Sequence, residues 1–273
     1  MDPSHYSHLA PTLLVEFDGP VRIIIMNRPD DLNSFDDALH TGMRRIWDLL
    51  IDDTEARAVV LTGAGRAFSA GGYLPNFIRN HSDPVARRAD IREAERLARA
   101  MISCELPVVA AINGPAVGLG CSLAVMTDFV VMAEDTFISD PHVSIGLVAG
   151  DGGAVTWPSM MSLLKAKEYI LLGDRIPAAE AERLGLCNRV VPRADVLAEA
   201  TSIAHRFAAL PVQALRDTKR ALNMHLLDAA NSVLSFALAA EYESFGTDDI
   251  KAQVEAFLAK AEQKAKAEKK DAS

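Results

Sequence analysis

Residues 107–126 read PVVAAINGPAVGLGCSLAVM. The apolar run 107–112 has the length and composition of a buried strand. It breaks at Asn113-Gly114-Pro115, and an apolar helical pattern starts after Gly118-Leu119-Gly120. The first turn of a helix carries backbone N–H groups without intrahelical acceptors, and glycines beside it let a ligand come close to them. The stretch is therefore built to hold negative charge on an oxygen. A dinucleotide turn, a phosphate loop and an oxyanion hole all answer that description, and close helix–strand packing also explains the glycines. The dinucleotide fingerprint needs a third glycine where Leu123 stands, and a phosphate loop needs a closing Gly-Lys-Ser/Thr although no lysine lies between Arg99 and Lys165. An oxyanion hole asks only for N–H groups aimed at one point.

The same organisation occurs once earlier. Residues 58–62 read as a short apolar strand, and GAGRAFSAGG, residues 63–72, follows as a second glycine-rich turn. Two such turns can converge on one pocket, each supplying one N–H. Further toward the N-terminus, residues 13–17 and 21–26 flank Asp18-Gly19-Pro20 as a hairpin. Asn33 or Ser34 is expected to cap a helix whose Phe35, Leu39, Met43, Ile46 and Leu50 form one buried stripe. Residues 79–90 are polar and read as mobile, and an amphipathic helix marked by Ile91, Ala94, Leu97, Ala98, Met101 and Ile102 leads into the central strand.

Beyond the central helix, residues 128–133 and 137–139 read as short strands. The segment 140–157, DPHVSIGLVAGDGGAVTW, has no clean periodicity and carries His142 with Asp140 and Asp151. From residue 163 the chain turns mainly helical, with a strand at 188–191 and a last helix capped by Thr247 that buries Ile250, Val254, Phe257 and Leu258. The whole is an α/β core over residues 12–190 with a helical part over 191–258. Residues 1–11 are expected to be a flexible tail, with His5 and His8 solvated, and residues 259–273 a charged end.

Composition bounds the function. With 28 basic and 37 acidic residues the net charge is −9, which argues against nucleic acid or an anionic membrane as the main partner. The start, MDPSHYSHLAPT, has no signal-peptide pattern, and no apolar run is long enough to span a bilayer. Cys104, Cys121 and Cys187 lie far apart without a C-x-x-C and read as reduced thiols of a cytoplasmic protein; no metal site is expected.

Four stretches in order, NRP…LNS, AFSAGG, NGPAVGLGC and PHVSIGLVAGDGG, resemble the crotonase superfamily, the enoyl-CoA hydratase/isomerase group. The resemblance covers residues 13–258. It implies a spiral of ββα units, a helical trimerisation region over 191–258, and trimers or dimers of trimers. It also implies that an acyl-CoA thioester carbonyl is held by two backbone N–H groups, which match Gly72 and Leu119. No cofactor is implied beyond coenzyme A as part of the substrate. Arg28 and Arg66 stand where the family places basic groups near the nucleotide phosphates. Ala67, Ala70, Gly71, Tyr73, Gly118 and Gly120 fall along the substrate path. The paired glutamates that add water in the hydratases correspond to Ser122 and His142, so neither acid is present, and Tyr73 replaces a common aspartate. His142 and Asp151 are then the candidates for proton transfer. Together with Glu241 they also resemble the β-diketone hydrolase branch, typified by 6-oxocamphor hydrolase, in which an activated water breaks a C–C bond. That branch lacks the AGG turn that is intact here. Ser122 as a nucleophile backed by His142 and Asp151 would make a thioesterase, but Ala124 replaces the last glycine of the G-x-S-x-G elbow. A non-catalytic CoA-binding protein is the remaining reading.

Overall fold

The computed structural model describes residues 3–271, with side chains over 4–259. The hairpin strands are β1 (Leu13–Asp18) and β2 (Val21–Met26), followed by α1 (Asp37–Asp52) and β3 (Ala58–Gly63). Helices α2 (Leu74–Ser82) and α3 (Pro84–Ser103) lead to β4 (Val108–Ile112), β5 (Ala116–Val117) and α4 (Leu119–Val125). Then come β6 (Phe129–Ala133), β7 (Phe137–Ser139), α5 (Gly153–Met160), α6 (Leu163–Leu172), β8 (Ile176–Pro177), α7 (Ala178–Leu184) and β9 (Arg189–Val191). The chain ends in α8 (Val196–Ala208), α9 (Val212–Ala229), a π-helical turn (Ala230–Leu234), α10 (Ser235–Ser244) and α11 (Asp248–Asp271).

The larger sheet runs β1-β2-β3-β4-β6-β9, parallel except for the first hairpin. Its central strands read as unbroken apolar runs because both faces are covered. Val60, Val109, Ala111 and Val131 pack on Ala200, Ile203 and Ala204 of α8. The alternating residues Leu61, Ala110, Ile112 and Met132 face the main core with Leu39, Met43 and Trp47 of α1 and Leu97 and Met101 of α3. A second, smaller sheet is ordered β5-β7-β8, and single bridges Ser69↔Ala116 and Phe35↔Gly72 carry it into the loops after β2 and β3. Strands β2, β3, β4 and β6 thus each hand the chain to a short extended segment that pairs in or beside the small sheet. This repeat is the spiral of ββα units, and it brings both glycine turns to one place.

Four expectations are corrected. Residues 3–9 form a 3-10 helix, with Tyr6 only 3% exposed and its hydroxyl donating to Asp53 Oδ2 at 2.7 Å. Two apolar side chains, Tyr6 and Leu9, cover the core beside α1, so this segment is not a tail. Residues 79–90 are helical: Asp83 caps α3, accepting from the Val85 and Ala86 amides at 2.9 and 3.1 Å, with Pro84 in the permitted first position. The cap of α1 is Asp36, which accepts from the Leu39 amide at 2.8 Å, while Leu32 and Asn33 adopt positive φ in the preceding turn. In α11 Ile250 and Val254 are buried as expected, but Phe257 is 59% exposed.

Candidate active site

Asn33 ties the first turn to the second. Its side-chain amide donates to the carbonyls of Ala64 and Ala67 at 2.8 and 2.9 Å, and its Oδ1 accepts from the Arg28 amide at 2.8 Å. Ser69 then ties the second turn to the third, accepting from the Val117 amide at 2.9 Å through its carbonyl and donating its hydroxyl to the Asn33 carbonyl at 2.8 Å. The turns touch where side chains are missing. Gly71 has φ +86°, and a Cβ there would lie 2.7 Å from the Val117 carbonyl oxygen. Gly118 has φ +51° and faces Gly71 across the same gap. Only glycine fits both conditions at these two positions.

Next to this contact stand two amides without partners among the described residues. Leu119 is the first residue of α4, where an N–H has no intrahelical acceptor, and among the described residues neither its amide nor that of Gly72 donates to another group. Both residues line one cavity of about 330 Å³. Its apolar wall includes Phe35, Phe77, Ile91 and Phe245, and His142, Asp151 and Glu241 line it too.

His142 follows β7 and is gripped from both sides. Its Nδ1 contacts Asp140 Oδ1 at hydrogen-bond range, and its Nε2 lies 3.3 Å from Asp151 Oδ2. The other oxygen of Asp151 accepts the Ser122 hydroxyl at 2.7 Å. All four side chains are buried. Burial alone pulls the imidazole down, but Asp151 and Asp140 outweigh it and hold its pKa well above the ordinary value. For Asp151 burial acts upward, and the charge and hydrogen bond of His142, with the Ser122 hydroxyl, bring it below the usual carboxylate value. Glu241, on α10, is 6% exposed and its Oε2 has no hydrogen-bond partner among the described residues. Burial, with Asp151 and Asp140 nearby, pushes it up to about 8 despite the opposing charge of His142. At neutral pH the site therefore pairs a protonated glutamic acid with an ionised aspartate, the separation of proton affinities that acid–base chemistry needs.

The remaining expected residues fall in different places. Ser122 is 1% exposed and donates to Asp151, not to His142, so it is not poised as a nucleophile. Gly120 packs on Ser69, where a Cβ would lie 2.6 Å from the Ser69 Cβ. Arg28 is bound by Asp31 at 2.5 Å and by Asp36, and its guanidinium stands 5.2 Å from the centre of the Tyr73 ring. Arg66 is exposed, with no side-chain partner among the described residues. Ala67 is buried in the main turn and Ala70 is half-buried beside it; neither lines the cavity. Two groups in the site were given no role by sequence reasoning, Asp140, which was named with its segment, and His40, which was not named. Asp140 sits two residues before His142 in a chain where many acids are surface groups, and only the fold shows it against the ring. His40, on α1, lines the cavity, and burial lowers its pKa. Its position one turn from Asp36 on the inner side of α1 is the signal that could have found it.

Over residues 16–268 the chain matches the profile of the enoyl-CoA hydratase/isomerase family. It is 30% identical to a short-chain-enoyl-CoA hydratase of Clostridium acetobutylicum, covering 91% of this chain and 95% of that protein. Among solved structures it is similar to an enoyl-CoA hydratase/isomerase from Mycobacterium paratuberculosis, with 51% identity, a TM-score of 0.87, and coverage of 89% and 98% of the two chains. It is also similar to ABDH, a β-diketone hydrolase from Anabaena sp. PCC 7120 bound to (S)-3-oxocyclohexyl acetic acid, with 25% identity, a TM-score of 0.82, and coverage of 90% and 98%.

Proposed function

Because the chain belongs to the enoyl-CoA hydratase/isomerase family and is an enzyme of that family, we propose that it works through an enolate whose oxygen is held by the Gly72 and Leu119 amides, with Asp151, His142 and Glu241 moving the protons. The observation that carries this reading is that Gly72 and Leu119, whose amides have no partner among the described residues, line one cavity with all three side chains. Two preorganised donors stabilise an enolate oxygen more than the neutral carbonyl it came from, which acidifies the α-carbon.

For hydration the protons balance as follows. A water gives one proton to the Asp151–His142 pair as its oxygen bonds to the β-carbon. The electron pair of the double bond moves onto the thioester oxygen. Glu241 then delivers its proton to the α-carbon, and the proton taken by Asp151 returns to Glu241 through solvent. Isomerisation uses the same groups with the water omitted. Neither route needs a cofactor, and coenzyme A enters as part of the substrate. Helices α9 and α10 leave Leu222, Met224 and Phe236 exposed, which supports self-association as a trimer or a dimer of trimers.

One observation favours a second reading, hydrolysis of a C–C bond in a free β-diketone or a β-ketoacyl compound. The charge of Arg28 is already taken up by Asp31 and Asp36, so one of the two expected phosphate contacts is weakened. In that reaction water adds to one ketone, the bond between that carbon and the α-carbon breaks, and its electron pair becomes the enolate held by the amides before Glu241 protonates it.

Turnover assays on crotonyl-CoA and on a cyclic 1,3-diketone separate the readings. Hydration of the thioester lost in Asp151→Asn supports the first. Cleavage of the diketone without thioester turnover supports the second. Tight acyl-CoA binding with no turnover of either compound would mark the protein as a binding module and overturn both.

A further inference from the structure

We propose that Asp140 is a positioning residue which, with Asp151, clamps both ring nitrogens of His142 and keeps the resting ring as a doubly donating imidazolium beside the oxyanion hole. This rests on the enolate reading for its role in turnover, but not for the state of the ring.

A neutral imidazole has one N–H and one lone pair, so it can donate to only one of two flanking carboxylates. Here a carboxyl oxygen stands at each nitrogen. With a neutral ring, one of the two contacts would set a lone pair against a carboxylate oxygen in a buried site. Charging the ring turns both contacts into charge-assisted hydrogen bonds. The alternative, a proton on one of the acids, is disfavoured at Asp151, whose Oδ1 accepts the Ser122 hydroxyl. At Asp140 the same oxygen that meets Nδ1 also faces the His142 backbone amide, at 3.4 Å. Its other oxygen has no hydrogen-bond partner among the described residues and lies against Gly153, the first residue of α5, where the helix end favours an anion. The other titratable groups around the ring do not supply a competing cation. Glu241 from α10 is held protonated by burial, the Cys121 thiol on α4 is held protonated by burial, and His40 on α1 is held neutral by burial.

The consequence is chemical. An ideal Cβ on Gly118 would lie 3.7 Å from His142 Cε1, so the positive ring sits next to the residue that precedes the Leu119 amide. It adds positive charge where the enolate oxygen forms, and the group that accepts a proton from water is Asp151, not the imidazole. The clamp also fixes the ring against rotation.

The test uses the full chain labelled with 15N at its seven histidines. In the wild type the His142 ring should carry protons on both nitrogens at about pH 7.5, and Asp140→Asn should lower its proton affinity by at least about tenfold. The pH–rate profile should move with it, kcat should fall while KM changes little, and Asp140→Glu should restore part of the shift. A wild-type ring with one bare nitrogen at that pH overturns the proposal, and so does an Asp140→Asn ring that titrates like the wild type with an unchanged pH profile. If Asp140→Asn does not fold, the wild-type spectrum alone decides. The spectrum is recorded without substrate, so failure of the enolate reading and failure of the clamp are told apart.

Discussion

Glu241 enters the cavity from α10 with an unpartnered oxygen, and its pKa of about 8 sets two expectations of definite sign. As a proton donor it must be protonated, so turnover should fall as pH climbs through about 8, and Glu241→Gln should lose about a hundredfold or more in kcat. In the folded state it keeps its proton to about 8, whereas the unfolded chain gives it up near 4.5. Its contribution to stability therefore declines as pH rises across that window. Denaturant melts at about pH 5 and about pH 8 should show Glu241→Gln gaining stability relative to the wild type at the higher pH. An equal difference at both would contradict the assignment. At this scale the sequence made His142, Asp151 and Glu241 legible because each stands at a position with a chemical counterpart in a recognisable motif. Asp140 was legible as an acid of the same segment but not as a partner of the ring, because nothing in D-P-H states that the chain bends to set the aspartate against the ring two residues on. Ser122 was legible as a polar residue of the site but not as a donor to Asp151, a contact that depends on how α4 meets the loop before α5.

The paired glycine turns are the element on which the amides depend. Gly71→Ala places a Cβ against the Val117 carbonyl oxygen at a residue with φ +86°, so it should push α4 away from the loop after β3. The expected result is a loss of turnover much larger than the loss of thermal stability, read from kcat/KM beside a melting curve. Proportionate losses would mean that the turn is only a packing contact. Asp83→Ala makes the contrasting case: removing the cap of α3 should cost about 1 kcal/mol by chemical denaturation and leave the chemistry nearly unchanged. The apolar strands and their glycine turns were readable because a buried parallel strand must be apolar on both sides. The stretch 79–90 was misread because polarity was taken for mobility, although Asp83-Pro84 is itself a helix-start signal. It forms part of the cavity wall, with Arg79 bound to Asp37 at 2.6 Å and to Asp90 at 3.0 Å.

Across the whole molecule the N-terminal segment behaves as part of the core. Deleting residues 1–10 removes the buried Tyr6 and Leu9 and should lower stability by about 2 kcal/mol or more, seen as a reduced melting temperature. An unchanged melt would restore the tail. No sequence pattern marked this segment, because one tyrosine and one leucine among polar residues carry no periodicity and their burial depends on the distant Asp53 and α1. Among the described residues no helix is long and apolar enough to cross a membrane, and the exposed apolar side chains of α9 and α10 are expected to meet another copy of the chain. Each catalytic route drawn above shares one event, the transfer of a proton between Glu241 and the α-carbon of a carbonyl compound held by Gly72 and Leu119, and exchange at that carbon runs the transfer in both directions. Proton NMR of butyryl-CoA in D2O follows that event without requiring net reaction. The account predicts enzyme-dependent exchange of deuterium into the α-position, greatly slowed in Glu241→Gln. Bound butyryl-CoA whose α-protons stay unexchanged, or exchange at the same rate in that variant, would contradict it.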